Sequence, residues 1–223
     1  QHTVLKARRE APNDPHSPFA PVPADEVAER IRAEKPAVVF APQVETSAGM
    51  LLPDDYIRTV AQAARDVGGL FVLDCIASGA LWVDMKARGV DVLISAPQKG
   101  WSGSPCAGLV MMSELAQERI GATTSSSFAA DLRKWLEIMD SYESGGHAYH
   151  ATMPTDGLTT FRNAMNQTQD FGFEKAHSAQ QELGDRVRSL LAGTGFKSVA
   201  ADGFGAPGVV VSYTDDPAIK SGK

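Results

Sequence analysis

The sequence predicts an α/β fold on a mostly parallel sheet, and three observations carry that expectation. Residues 37–41 and 70–73 are short, continuous apolar runs, the pattern of strands covered on both faces, and the mainly apolar residues 90–94 read as a third strand. Stretches of helical periodicity separate them. Each helical stretch ends at glycine or proline punctuation, with Gly68-Gly69 after the second. Strand, helix, strand in alternation implies parallel strands joined by crossover helices, lying on both faces of the sheet.

The elements follow in order. Residues 11–23 carry Pro12, Pro15, Pro18, Pro21 and Pro23 and read as an extended loop, because proline removes a donor and blocks helix. Asp25 is the expected cap of a helix over residues 25–34, with Val27 and Ile31 on its apolar side. The strand over 37–41 comes next. Pro53 starts a helix that runs to Val67, and the strand over 70–73 follows. A short helix over 84–88 leads to the third strand, 90–94, and a loop rich in small residues leads to a fourth over 107–112. From 156 to 191 the helical signal is nearly continuous, with breaks expected at Gly172 and Gly184, and a strand is expected over 209–213. This long helix is expected to leave a larger domain, residues 1–170, and enter a smaller α+β one that starts with residues 171–223.

Composition narrows the function classes. The chain has 223 residues, 43% hydrophobic and 22% charged, which suits a soluble globular protein. Its 21 basic against 27 acidic side chains give a net charge of -6, which argues against a nucleic-acid surface or an anionic-membrane track. No apolar stretch approaches the roughly 20 residues that span a bilayer, and the N-terminus reads as neither signal nor transit peptide. Cys75 and Cys106 form no CxxC, so the expectation is no disulfide framework and a reducing cytoplasm.

Ligands in open parallel sheets bind beyond the carboxyl ends of the strands. Three polar clusters fall there: Glu45-Thr46-Ser47 after the first strand, Asp74 with Ser78 after the second, Gln98-Lys99 after the third. Asp74 alone reads as a helix cap, or as a carboxylate facing a cationic ring nitrogen or a metal. Lys99 alone reads as a surface lysine. Its neighbours, Ser95-Ala96-Pro97 before and Gly100-Trp101-Ser102-Gly103-Ser104-Pro105 after, make a loop that allows close backbone approach to a ligand. A lysine held in such a loop is a candidate nucleophilic amine.

Together these segments resemble the class V aminotransferases of fold type I. Val72-Leu73-Asp74-Cys75-Ile76-Ala77-Ser78 and Ser95-Ala96-Pro97-Gln98-Lys99 carry the likeness, with Pro42-Gln43-Val44-Glu45-Thr46-Ser47-Ala48-Gly49 and Tyr149-His150-Ala151-Thr152. Within that family the chain is most similar to the alanine–glyoxylate / serine–pyruvate branch. The resemblance implies a pyridoxal 5′-phosphate (PLP) enzyme with a three-layer large domain, in which Lys99 forms the Schiff base and carries the proton. It implies that Asp74 pairs with the pyridine nitrogen, which keeps the ring an electron sink. It further implies that Thr46 bonds the ring hydroxyl, that Gln98 contacts the phosphate and that Ser78 supports that side. Tyr149 and Thr152 would reach the phosphate of the neighbouring subunit's cofactor, making a homodimer part of the site. The implied reaction is transamination between a small amino acid and a 2-oxo acid. Another class V reaction, such as phosphonate transamination, stays open, as does a non-catalytic PLP-fold module. Gln98 stands where desulfurases carry His, which argues against desulfuration. The family's upstream phosphate loop, ring-stacking aromatic and carboxylate-binding arginine have no counterpart here, and Cys106 stands where the family often has Gly. The chain is therefore expected to hold part of its site.

Other signals read more plainly. His147 and His150 have no third ligand at metal spacing, so no metal site is expected. Cys106 reads as a small packing residue, while Phe128 and Trp135 read as core or dimer packing. Trp101 either lines a substrate pocket or anchors the loop. The segment from Gly100 to Gly108 lacks both GxGxxG and Gly-Lys-Ser/Thr.

Overall fold

The structure is a computed structural model and describes residues 2–222. In chain order the elements are β1 (Arg8–Arg9), β2 (Phe19–Ala20), α1 (Ala24–Glu34), β3 (Val38–Pro42), β4 (Val44–Glu45) and β5 (Met50–Leu51). Then come α2 (Asp54–Asp66), β6 (Leu70–Asp74), α3 (Met85–Arg88), β7 (Val92–Ser95) and β8 (Leu109–Met112). The rest is helical: α4 (Glu114–Gly121), α5 (Leu132–Glu143), α6 (Thr155–Phe171), α7 (Phe173–Gly193) and α8 (Pro217–Lys220).

The central sheet has the order β3-β6-β7-β8. β3, β6 and β7 run parallel, as the alternation with helices requires. β8 is antiparallel to β7. Its connection, residues 96–108, contains no crossover helix, and without one the chain returns along the neighbouring strand in the opposite direction. The sheet is therefore mixed, with a parallel centre.

The main core forms where α1 and α2 cover one face. Val27, Ala28 and Ile31 of α1 and Ile57, Val60 and Ala64 of α2 meet Phe71, Leu73 and Leu93 of the sheet. The opposite face differs from the sequence expectation for the first strand. Val38 and Phe40 are 53% and 58% exposed, because β3 is an edge strand whose other residues, Val39 and Ala41, take the helix-covered side.

Several local expectations change. Pro23, not Asp25, occupies the cap of α1; Asp25 and Glu26 sit in its first turn and act on the helix dipole instead. Val90 and Asp91 precede β7 as a bend, with buried Asp91 accepting the Phe71 N–H at 2.9 Å. Gly172, at φ 100°, does separate α6 from α7. Gly184 breaks nothing: it is buried inside α7, and a Cβ there would lie 2.6 Å from the Pro207 backbone, so its smallness serves a close approach. Residues 209–213 form no strand of their own. They pair with residues 197–199 through Val199 N–H to Val211 O and Tyr213 N–H to Lys197 O, with one isolated bridge at Ser198–Ser212. The turn to this segment also bridges back to the N-terminal part, where Gly205 meets Met50.

Candidate active site

The order β3-β6-β7 places the three polar clusters side by side at one end of the sheet. Asp74 closes β6 opposite Pro42 of β3 and Ile94 of β7. Its Oδ1 accepts the Ile76 N–H at 2.9 Å, a turn that starts the loop over Cys75 to Gly79. Alternation along the strand then sends neighbours apart. Leu73 and Cys75 enter the helix-covered core, and Asp74 faces the opposite side, half-buried. Burial pushes the Cys75 thiol up to about 12, with the nearby Ser78 hydroxyl opposing and the Asp74 charge adding to the rise. Ser78 Oγ itself is buried, 2% exposed as a residue, and beyond its proximity to the Cys75 thiol it has no hydrogen-bond partner among the described residues.

The loop after β7 folds onto the loop after β6. Pro97 is fully buried, while Gln98 and Lys99 are exposed, so Lys99 is not desolvated by this chain alone. Ser102 N–H donates to Lys99 O at 3.0 Å and Gly103 N–H donates to Pro97 O at 2.9 Å, a tight turn with Ser102 at φ 54°. Gly100 lies so close to Gly79 that a Cβ on it would sit 2.5 Å from the Gly79 carbonyl oxygen. That contact brings the residue next to Lys99 against Gly79 and requires glycine at position 100. Trp101 anchors the loop: its ring centroid lies 5.1 Å from Trp82 and 6.0 Å from Phe161, and Trp82 in turn packs on Phe173 at 5.2 Å. Trp101 also lines a cleft of about 280 Å³ with Trp82, Gly100, Gln167 and Phe171. Cys106 packs against Gly157 of α6.

Thr46 sits at the exposed tip of the β4–β5 hairpin. The hairpin is tied to the sheet end, since Gln43 N–H donates to Asp74 O and Leu52 N–H to Gln43 O, both at 2.8 Å. Glu45 organises the tip by accepting from Ser47 N–H, Ser47 Oγ–H and Ala48 N–H. Burial pushes the Glu45 carboxyl up, but these hydrogen bonds outweigh it and hold the group below the usual carboxylate range.

Tyr149 and Thr152 are brought to each other, with hydroxyls 3.0 Å apart, on an exposed loop; Tyr149 is 69% exposed. His150 between them stacks 4.2 Å from Phe128 and edge-on to Trp135, and its Nε2 bonds Phe128 O. His147 packs edge-on against Tyr142. Among the described residues no cluster of three or more His, Cys, Asp or Glu side chains could hold a metal ion.

Two polar groups of the site escaped the sequence reading. Gln43 is buried with Oε1 unpartnered, one residue beyond β3. Gln180 of α7 reaches the loop after β6, where its Oε1 accepts Ala80 N–H at 2.8 Å and its Nε2 donates to Ser78 O at 3.1 Å. A polar residue that follows an apolar run signals Gln43. Nothing in local sequence signals Gln180, which acts a hundred residues away along the chain.

The fold agrees with comparisons to known proteins. The family model for aminotransferase class-V matches residues 20–202. Alanine–glyoxylate aminotransferase 1 of Saccharomyces cerevisiae is 27% identical over 208 residues, which cover 88% of this chain and 53% of that protein. A 2-aminoethylphosphonate–pyruvate transaminase of Paraburkholderia phymatum is 30% identical over 202 residues, 87% of this chain and 51% of that one. The crystal structure of an alanine–glyoxylate aminotransferase from Nostoc sp. superimposes with a TM-score of 0.78 at 22% identity, over 86% of this chain and 50% of that chain. The chain thus spans about half the length of the relatives it matches, and the likeness in structure is one of fold. With the family model covering most of its length, the chain belongs to the class V aminotransferases.

Proposed function

We propose that this chain carries the lysine-bearing part of a PLP-dependent aminotransferase, which moves an amino group between a small amino acid of the alanine or serine type and a 2-oxo acid such as glyoxylate or pyruvate. One observation supports this reading above the others. Lys99 and Asp74 leave adjacent parallel strands at the same end, and the Gly100–Gly79 contact draws their loops together. The residues fit the cofactor. Ser78 Oγ is buried and unpartnered, only Oδ1 of Asp74 is engaged by the backbone, and Lys99 forms no ion pair among the described residues. When bound, PLP supplies a ring that takes up negative charge from the substrate α-carbon.

The chain's own residues do the rest. Lys99 Nζ would hold the cofactor aldehyde and, once the substrate amine has displaced it, would be free as an amine to move the proton at the substrate α-carbon. Asp74 would keep a proton on the ring nitrogen, because a carboxylate facing that atom would favour its charged form. Thr46 binds the ring hydroxyl, Gln98 and Ser78 serve the phosphate side, and Tyr149 with Thr152 reach the phosphate in a second copy of the chain. A homodimer and a cytoplasmic location go with this reading. Two free cysteines support the location, and among the described residues no helix is long and apolar enough to cross a membrane. We likewise propose residues 1–170 as part of the large domain and 171–223 as the start of the small one.

The test is spectroscopic. The protein titrated with PLP should develop a visible band that borohydride abolishes, leaving a stable adduct on the peptide that contains Lys99. Lys99→Ala retaining both band and turnover would overturn the assignment and favour a non-catalytic module. A second reading, phosphonate transamination, is favoured by the similarity to 2-aminoethylphosphonate–pyruvate transaminases. Adding single amino donors to the PLP form decides between them. Conversion to pyridoxamine phosphate by 2-aminoethylphosphonate, with alanine and serine inert, would select the second.

A further inference from the structure

We infer that Gln180 is a positioning residue for Lys99, acting through the backbone of Gly79. This role rests on the functional reading for Lys99 itself and on geometry for the rest. The Gln180 amide spans the two peptides that flank Gly79, accepting from Ala80 N–H and donating to Ser78 O at 2.8 and 3.1 Å. One donor and one acceptor in a fixed plane match one free acceptor and one free donor of a loop that has no strand neighbour. A side chain at position 79 would occupy the space of that amide, and Gly79 at φ 64° also adopts a backbone that glycine favours. The other side of Gly79 carries Gly100, whose would-be Cβ lies 2.5–2.7 Å from the Gly79 backbone. Gly100 adjoins Lys99. The Gln180 side chain of α7, the Ser78–Ala80 loop and the lysine turn thus form one unbroken series of contacts.

Gln180 does not stand alone on its helix face. Gly184, one turn on, takes Pro207 in close approach, and Arg188, a further turn on, donates to Gly49 O, Ala206 O and Val209 O. Gly49 closes the hairpin that carries Thr46. Residues four apart share a helix face, so a single stripe of α7 sets the backbone under two of the three strand-end clusters. Gln180 serves the one that bears the lysine.

Amide hydrogen exchange on the full chain without cofactor tests this directly. Gln180→Ala should speed exchange at Ala80, which loses its acceptor, and also at Ser102 and Gly103, whose N–H groups close the lysine turn. Loss of one half-buried hydrogen-bond pair predicts about a tenfold change in each case. Ile57→Val, a core truncation in α2 remote from the loop, serves as the stability control and should leave Ser102 and Gly103 unchanged. In parallel, Gln180→Ala should weaken PLP binding about tenfold with no greater loss of unfolding midpoint than Ile57→Val. Unchanged exchange at Ser102 and Gly103 in Gln180→Ala, or equal acceleration in Ile57→Val, overturns the positioning role. A protein that takes up no PLP while those two amides respond keeps the positioning of the loop and removes the aminotransferase reading.

Discussion

Gly100→Ala puts the convergence of the two loops to a quantitative test. The added methyl would lie 2.5 Å from Gly79 O, 2.6 Å from Gly79 Cα and 2.7 Å from Gly79 C, against a practical floor of 3.0 Å for such contacts. All three atoms are backbone, and Gly79 is held from the far side by Gln180, so relief requires the lysine turn itself to move. Gly100 is not in the left-handed region, which makes the penalty steric and not conformational. Overpacking of this kind costs about 1–3 kcal/mol. The shift falls on Lys99, so PLP affinity should drop by about tenfold or more, one factor of ten for each ~1.4 kcal/mol. Urea unfolding gives the stability loss, and PLP titration with borohydride trapping gives the binding loss. Gly68→Ala separates the two effects. It has open space around it but φ 75°, so it should lose about 1 kcal/mol of stability through backbone strain and leave PLP binding intact. A Gly100→Ala protein with the wild-type midpoint and wild-type PLP affinity would refute the contact on which the site is built.

Four further outcomes follow from individual groups. Ser78→Ala removes a buried, unpartnered hydroxyl, so thermal stability without cofactor should hold or rise while PLP binding weakens; a clear stability loss would show that Oγ already has a partner. Asp91→Ala leaves the buried Phe71 N–H unpaired and should cost about 1–3 kcal/mol in urea unfolding, a figure that a near-neutral result would contradict. The Glu45 carboxyl lies below its ordinary 4.5 when folded, so its stabilisation is present above pH 4.5 and is lost as pH falls through the folded value. Glu45→Gln should therefore be less stable than wild type at neutral pH, with the gap closing in acid. Tyr56 donates its hydroxyl to Val22 O at 2.7 Å, and burial, with the Glu26 charge, pushes its pKa up from 10.0 to about 12. Its stabilisation holds below pH 10.0 and is lost as pH rises through about 12, so Tyr56→Phe should flatten the alkaline limb of a stability–pH curve.

The sequence was most informative where local chemistry and global fold agree. Apolar runs located β6 and, less closely, β3 and β7, and the polar residues after each run were found beside one another at the sheet end. Glycine and proline punctuation located α2 and the break at Gly172. What was hidden depends on contacts across the chain. Gly184 looked like a breaker because its reason for being small, Pro207, lies more than twenty residues on. The exposed face of β3 could not be read from an apolar run, which records what a strand can bury and not what covers it. Helices α4 and α5 went unread although Ser113 and Asp131 cap them with side-chain bonds to Ala116 and Lys134 N–H. There the signal was present, in the cap and in the amphipathic Leu132–Glu143 stretch.

The end of β6 concentrates the physical logic of the site. Three consecutive residues meet alternating surroundings because a strand alternates sides and then stops. Leu73 is fully buried under the helices; Asp74 turns to the other face with one carboxylate oxygen on its own backbone; Cys75 returns to the core, where burial raises its thiol to about 12 and keeps it neutral. The chain thereby turns the carboxylate away from the helix-covered core and keeps the neighbouring thiol inside it. A one-residue slip of β6 against β3 and β7 would exchange those positions, exposing the thiol and burying the carboxylate. Register is held by the Phe71 and Leu73 side chains in the core and by the Asp91 carboxylate on the Phe71 N–H. The same core contacts that stabilise the sheet therefore decide which of Asp74 and Cys75 faces away from the helix-covered core.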